Sequence, residues 1–221
     1  DDFTLQVRKF IPHLTDMKFL GGEPFLIQEY HQIWKDVLEL NPKIKIHITT
    51  NATILQERTL AILKKLKTGF VLSIDSVDPE NYARIREGGE LKTVLKNIKI
   101  LKEIAETNGT YISITACVMN SNWKDLPDLV NFANHNNFNI HFNMVWNPEK
   151  ESIRFLSGYK INDIIQYLIN KQSTLSSDKK FEKNRQNYEQ VIKSLQHWAG
   201  EKNNDSKPIK INNSNYSKVI E

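Results

Sequence analysis

Apolar residues recur along this chain in two rhythms. Short runs at 17–20, 44–49, 70–75, 111–118 and 139–143 have the length and β-branched content of strands. Between them, around 24–40, 54–67, 91–106 and 124–136, apolar positions return at helical spacing. The clearest helical face carries Leu91, Val94, Leu95, Ile98, Leu101 and Ile104. Strand–helix alternation predicts right-handed crossovers and a mainly parallel sheet. Asn51 or Thr53 is positioned to cap the second helix and Asn122 the fourth. No internal repeat is present.

Parity within the strands sharpens the expectation. Ile44, Ile46 and Ile48 oppose Lys45, His47 and Thr49, and Phe70, Leu72 and Ile74 oppose Val71, Ser73 and Asp75. Ile112, Ile114, Ala116 and Val118 oppose Ser113, Thr115 and Cys117, while Ile140 and Phe142 oppose Asn139, His141 and Asn143. A doubly wound sheet, covered on both faces, would be apolar throughout. One apolar and one polar face instead predict a barrel or an arc of one, with helices outside and a polar lumen. Functional side chains should then sit at the C-terminal ends of the strands.

After residue 150 the pattern changes. One more helix is expected over 161–169, a polar linker follows in KQSTLSSDKK, and Phe181, Tyr188, Val191, Ile192, Leu195 and Trp198 mark another amphipathic helix. The organisation read from this is a barrel part over 1–150, a helical extension over 151–200 and an extended or disordered polar tail over 201–221.

Bulk properties add exclusions. The 221 residues, 39% hydrophobic and 25% charged, suit a soluble fold with a core. No apolar run approaches the ~20 residues of a membrane span, and the N-terminus has no signal-peptide pattern. The single cysteine, Cys117, excludes an internal disulfide and fits a reducing cytoplasm. Residues 1–170 hold 20 basic and 20 acidic side chains, so the net charge of +4 lies wholly in residues 171–221. The main body therefore offers no field for nucleic acid.

The chemistry is concentrated at the strand ends. Gly21-Gly22-Glu23-Pro24 follows the first run, TTNAT the second, and SIDS closes the third, with YARIREGG beyond it. Adjacent glycines permit positive φ and a close approach to bare backbone. Taken alone, the tetrapeptide reads first as a strand-to-helix turn with Pro24 as first helical residue. The succession resembles the radical S-adenosylmethionine (SAM) enzymes, in particular the branch with SPASM or twitch extensions. The match runs from about Phe19 to Asn143. It implies an α/β fold, a partial parallel (β/α)6 barrel missing its first strand, with C-terminal helices.

By that resemblance Gly21, Gly22 and Glu23 bind the methionyl ammonium of SAM and Pro24 shapes the turn. Thr50 and Asn51 lie near the methionyl and ribose end, Ser73 and Asp75 at the ribose or carboxylate, and Arg86 closes over the carboxylate or braces that loop. A zwitterionic ligand end needs both an anion and a cation in its site, which Glu23 and Arg86 with Ser73 supply. The family's [4Fe–4S] cluster requires three thiolates in Cys-x3-Cys-x2-Cys. One cysteine cannot provide them, so no metal ligand is assigned in this chain. The cluster is expected only if a missing N-terminal part supplies the cysteines. The rival is a non-catalytic SAM- or peptide-binding module that has lost its cluster. The resemblance further implies a peptide, protein or small-molecule substrate and a reductant such as a flavodoxin or ferredoxin. It leaves the oligomeric state open.

Other residues are weighed singly. Cys117 faces the lumen and is a candidate hydrogen-atom donor, although a lone cysteine also serves as a small core residue. His141 and Asn143 share that face and are candidate adenine or substrate contacts. Trp146 reads as packing or as a stacking platform. The six histidines show no metal-ligand spacing and read as structural. Phosphate-loop and nucleophile-elbow motifs are absent. An aldolase-like barrel is disfavoured because Lys45 lies at the wrong end of its strand.

Overall fold

The computed structural model describes residues 2–205. Its centre is a five-stranded parallel sheet in sequence order, β1 (Asp16–Phe19), β2 (Lys45–Thr50), β3 (Lys67–Ser73), β4 (Ile112–Val118) and β5 (Asn139–Met144). Strand order equal to chain order, with β1 and β5 unpaired to each other, makes an open arc rather than a closed barrel. The crossovers are α2 (Gln28–Leu40), α3 (Glu57–Leu63), α5 (Leu91–Thr107) and α6 (Leu126–Asn136). Two helices escaped the sequence pattern because they are short: α1 (Asp2–Phe10) ahead of the sheet and α4 (Pro79–Ile85) between β3 and α5.

The alternation read from the strands is the alternation of burial. Phe19, Ile46, Ile48, Phe70, Leu72, Ile114 and Ile140 are buried, whereas Lys18, His47, Thr49, Ser73, Thr115, Cys117, His141 and Asn143 are half-buried or exposed. Register aligns these rows, with Ile48 between Phe19 and Phe70, and Ser73, Thr115 and His141 in line. Beneath β1 an aromatic cluster seats α2. Trp34 meets Phe19, Phe25 and His31 edge-on at 5.5, 6.2 and 5.0 Å. Each such pair adds about 0.5–1.5 kcal/mol to the area it buries.

Two helices follow β5. α7 (Gly158–Lys171) contains the expected 161–169 segment, and α8 (Glu182–Asp205) packs on it, on α6 and along β5. The linker between them forms two short 3-10 turns, Gln172–Thr174 and Lys179–Phe181. α8 runs past Glu201, where the polar tail was expected to begin, and the rest of that tail, 206–221, lies outside the described residues. The helix also closes the sheet edge. Asn184 accepts from Ile140 N at 3.0 Å and donates to Phe138 O and Asn134 Oδ1, while the Asn187 amide donates to Ile140 O at 2.6 Å. Two asparagines thus stand in for the backbone of a further strand at Ile140.

Cap expectations are corrected. α3 starts at Glu57 with Gln56 at its N-cap, so neither Asn51 nor Thr53 caps it, and α6 starts at Leu126, behind Asp125. Asn51 and Asn122 spend their side chains on strand-end loops instead.

The edge contacts make a stability prediction. Replacing the buried Asn184 by alanine strands an N–H and a carbonyl, and should cost about 2–3 kcal/mol. Urea unfolding should show a lower midpoint at unchanged m-value; Asn187→Ala, at a half-buried position, should shift it by less.

Candidate functional site

The C-terminal ends of β1 and β2 meet around one carboxylate. Gly21 (φ 89°) and Gly22 (φ 55°) turn the chain in the left-handed region. A Cβ at either would meet nothing within 4 Å, so torsion, not space, demands glycine there. The turn directs Glu23 inward as the N-cap of a 3-10 turn, Pro24–Leu26, so Pro24 opens that turn and not α2. Glu23 is 9% exposed. Its Oε1 accepts from Thr50 Oγ1 at 2.7 Å and Phe25 N at 3.3 Å, and its Oε2 from Asn51 N at 2.9 Å. All three donors are neutral, and no described cation lies within ion-pair distance. About one of the carboxylate's four acceptor directions remains free.

The β2 loop is shaped to deliver those donors. Ala52 takes φ 56°, a conformation that costs a non-glycine residue about 1–2 kcal/mol. It is held by Thr50 Oγ1, which accepts its N–H at 3.0 Å, and by Asn97 of α5, which donates to its carbonyl at 2.8 Å. The Asn51 side chain accepts from Thr53 N and Oγ1 at 2.9 and 2.6 Å, an Asx turn.

A second cluster joins β3 and β4. Arg86, just past α4, donates to Asp75 Oδ2 at 2.6 Å and to Ser73 Oγ at 3.2 Å. It therefore braces the strand end and does not pair with Glu87 or Glu90. Asp75 Oδ1 accepts the Cys117 N–H at 2.8 Å. Asn122, 1% exposed, pins both strands, donating to Asp75 O at 2.7 Å and Cys117 O at 2.8 Å while accepting from Met119 N at 2.8 Å. The two clusters stand on adjacent strands, since Thr50 and Leu72 are register partners.

Burial pushes the Cys117 thiol above its ordinary range; Asp75 adds to that and Arg86 opposes it. The sulfur is thus kept as S–H at neutral pH. His141 is pulled below its ordinary range by burial and by Lys183, so it stays uncharged there. Asn143 donates to Thr115 Oγ1 at 2.9 Å. Trp146 is 52% exposed, with Arg154 stacked over its ring at 4.4 Å. The structure thus brings Glu23, Thr50 and Asn51 into one cluster and Ser73, Asp75, Arg86 and Cys117 into another, while His141, Asn143 and Trp146 stand apart from both. Asn97 and Asn122 were missed; Asn97, lone and polar on an apolar helix face, was the readable signal.

The residues present do not fit an iron–sulfur cluster. Cys117 is the one cysteine, and among the described residues no group of three or more His, Cys, Asp or Glu is placed to hold a metal ion.

Two expectations follow. Arg86→Met leaves the buried Asp75 carboxylate without its cation and should cost about 2–3 kcal/mol in chemical unfolding, whereas Ser73→Ala should cost less than 1. Alkylation of Cys117 by iodoacetamide should accelerate with pH around a midpoint above that of a cysteine in the unfolded chain. Asp75→Asn should move that midpoint down.

Comparison with known proteins gives a consistent picture. Residues 2–133, more than half of the chain, match the family model of the radical SAM superfamily. A probable GTP 3',8-cyclase of Methanocaldococcus jannaschii is 29% identical over 121 residues, 53% of this chain and 38% of that protein. The GTP 3',8-cyclase of Mycolicibacterium smegmatis is 30% identical over 89 residues, 40% of this chain and 25% of its own. The chain thus spans well under half the length of these relatives. In fold it resembles Streptococcus suis SuiB bound to S-adenosylmethionine, with a TM-score of 0.53 at 20% identity, covering 82% of this chain and 44% of SuiB. SuiB with its precursor peptide SuiA gives 0.54 at 21%, over 82% and 43%.

Proposed function

The chain belongs to the radical SAM superfamily, and from that premise we propose that it forms the SAM-binding arc of a radical SAM enzyme. The observation that carries the reading is Glu23, a buried carboxylate held by three neutral donors with no described cation as partner. Such a site fits an ammonium group, and SAM has one. Gly21 and Gly22 offer backbone carbonyls beside it, and Thr50 and Asn51 fix the carboxylate's orientation. Ser73 and the free N–H groups of Arg86 take the ligand's carboxylate or ribose, while Asp75 holds Arg86 in place. Bound there and reduced by one electron from a cluster held elsewhere in the protein, SAM would break into methionine and a 5'-deoxyadenosyl radical able to take a hydrogen atom from substrate. The lumen row of Thr115, Cys117, His141 and Asn143 is where substrate would lie, with Cys117, a protonated thiol, as the candidate donor of a returning hydrogen.

Cluster ligands, in this reading, come from a part of the protein outside this sequence, as does the docking site for a reductant such as a flavodoxin or ferredoxin. Alone, the chain would bind SAM without cleaving it. The sequence relatives are named for GTP cyclisation and SuiB was solved with a peptide, so a nucleotide and a peptide are the two substrate classes to test first. Placement in the SPASM/twitch branch rests on the order of strand-end signals and on the helices after β5. The domain plan places the barrel part over 1–150 and the helical extension from 151. We place the protein in the cytoplasm, with which its free thiol agrees; among the described residues no helix is long and apolar enough to cross a membrane. The single cysteine also favours a second reading, a SAM- or peptide-binding module without catalysis.

Calorimetry decides the site. Glu23→Gln should weaken SAM binding at least about tenfold, the loss of one charge-assisted contact; unchanged affinity removes Glu23 from the site. Iron decides the chemistry. The complete protein, reconstituted without oxygen, should carry about four irons per cluster, and an iron-free product would leave the binding module.

A further inference from the structure

The floor of the lumen, at the N-terminal ends of the strands, holds three titratable side chains that the reading above does not use. His47 of β2 is fixed through both ring nitrogens, Nδ1 at 2.8 Å from the Tyr111 hydroxyl and Nε2 at 3.2 Å from Asp16 Oδ1. Asp16 opens β1, and Tyr111 immediately precedes β4. Tyr111 reaches across β3 because residue 69 is glycine: a Cβ there would lie 2.6 Å from the ring's Cε1. The two rings lie 5.6 Å apart, tilted by 31°. Lys45 and Lys67, register partners, stand beside them in a cavity of about 610 Å3.

The order of protons along this relay is set by charge. The hydrogen bond from His47 pulls the Asp16 carboxyl below its ordinary range, so it is ionised and accepts the Nε2 proton. Nδ1 is then an acceptor, and the Tyr111 O–H donates to it. Burial pushes the phenol above its ordinary range, so it keeps its proton at neutral pH.

We propose that Tyr111 is a redox-active tyrosine whose phenolic proton passes to His47 when a one-electron oxidant takes its electron. The O–H bond breaks, the electron leaves for the oxidant, and the proton crosses to Nδ1. The products are a neutral phenoxyl radical and an imidazolium whose Nε2 proton Asp16 holds. Coupling the two transfers avoids a phenol radical cation, a far stronger acid than the imidazolium that forms instead.

The oxidant, by class, is a sulfur-centred thiyl radical, which the Cys117 thiol becomes when it gives up its hydrogen atom. The electron converts it to a thiolate, which takes a proton from solvent, so one S–H bond and one phenoxyl result. An external one-electron reductant then restores the tyrosine, and His47 returns the proton. Tyr111, one residue before β4, stands in line with the lumen row that includes Cys117, six residues or ~20 Å away. Electron transfer over that span is far slower than hydrogen abstraction in contact. Tyr111 therefore leaves turnover alone and drains radicals that outlive it. That role rests on the chemistry proposed above; the redox property does not.

The test uses this chain without SAM or iron, and photogenerated ruthenium(III) tris(bipyridine) as oxidant. Electron paramagnetic resonance of the freeze-quenched sample should show a neutral tyrosyl radical, formed more slowly in D2O than in H2O. Tyr111→Phe should remove most of it, although six of the seven tyrosines remain. His47→Gln should slow oxidation about tenfold, as for loss of one hydrogen bond to the proton acceptor, and abolish the isotope effect. Asp16→Asn, with a side chain 51% exposed, leaves the fold intact and should slow it by a smaller factor. A signal that survives Tyr111→Phe, or a rate unchanged in both His47→Gln and Asp16→Asn, overturns the proposal. Either result leaves the SAM reading where it stands.

Discussion

Five parallel strands covered on one face only impose the constraint from which the rest of this structure follows. Helices pack on the row of Phe19, Ile48, Phe70, Leu72, Ile114 and Ile140, and their burial supplies the stability of the arc. The other face is then free to be polar, and apart from Val71 of β3 its strand residues are largely so. Its composition changes along the strand axis. At the C-terminal ends stand carboxylates, hydroxyls and an arginine in closed hydrogen-bond networks. At the N-terminal ends stand lysines and the His47 relay. A sheet buried on both sides could carry neither set without large desolvation costs.

Asparagine is the residue that turns this arc into a rigid frame. Asn97 reaches from α5 to the strained carbonyl of Ala52, Asn122 ties the ends of β3 and β4, and Asn184 with Asn187 seals the β5 edge. Each amide carries donors and an acceptor on one short side chain, so it can replace two backbone partners that a loop or an edge lacks. Because the Asn97, Asn122 and Asn184 contacts are buried, their loss would leave unsatisfied groups, which makes them costlier to break than their number suggests. The frame holds Glu23 and Asp75 in fixed orientation on adjacent strand ends.

What could be read from the sequence follows from the range of the interaction concerned. Period-two alternation in 44–49 and 111–118 is local, and it revealed the one-sided sheet and its lumen. Gly21-Gly22-Glu23-Pro24 is local too, and its role as a turn presenting a carboxylate is what the torsions show. Helix caps misled, because Asn51 and Asn122 look like caps from their neighbours yet find better partners elsewhere, Asn122 some 47 positions away at Asp75. α4 was hidden inside turn chemistry, since Asp78-Pro79 marks a loop and a helix start equally well. The relay of Asp16, His47 and Tyr111 was beyond reach, as its members lie 31 and 64 positions apart and only the sheet register brings them together.

The same separation argues for what the two ends of the lumen do. At the C-terminal end Glu23 has no described cation within ion-pair distance, which is the gap that the proposed positively charged ligand would fill. At the N-terminal end the relay is paired within itself: Asp16 has the imidazole, and the phenol has a base, with Lys45 and Lys67 beside them. A site that lacks a partner suits the binding of one, and a relay whose members already meet suits the movement of charge proposed for it. The glycine at 69 belongs to that second purpose, because a side chain there would keep Tyr111 from lying across β3 and cut the relay at its first link.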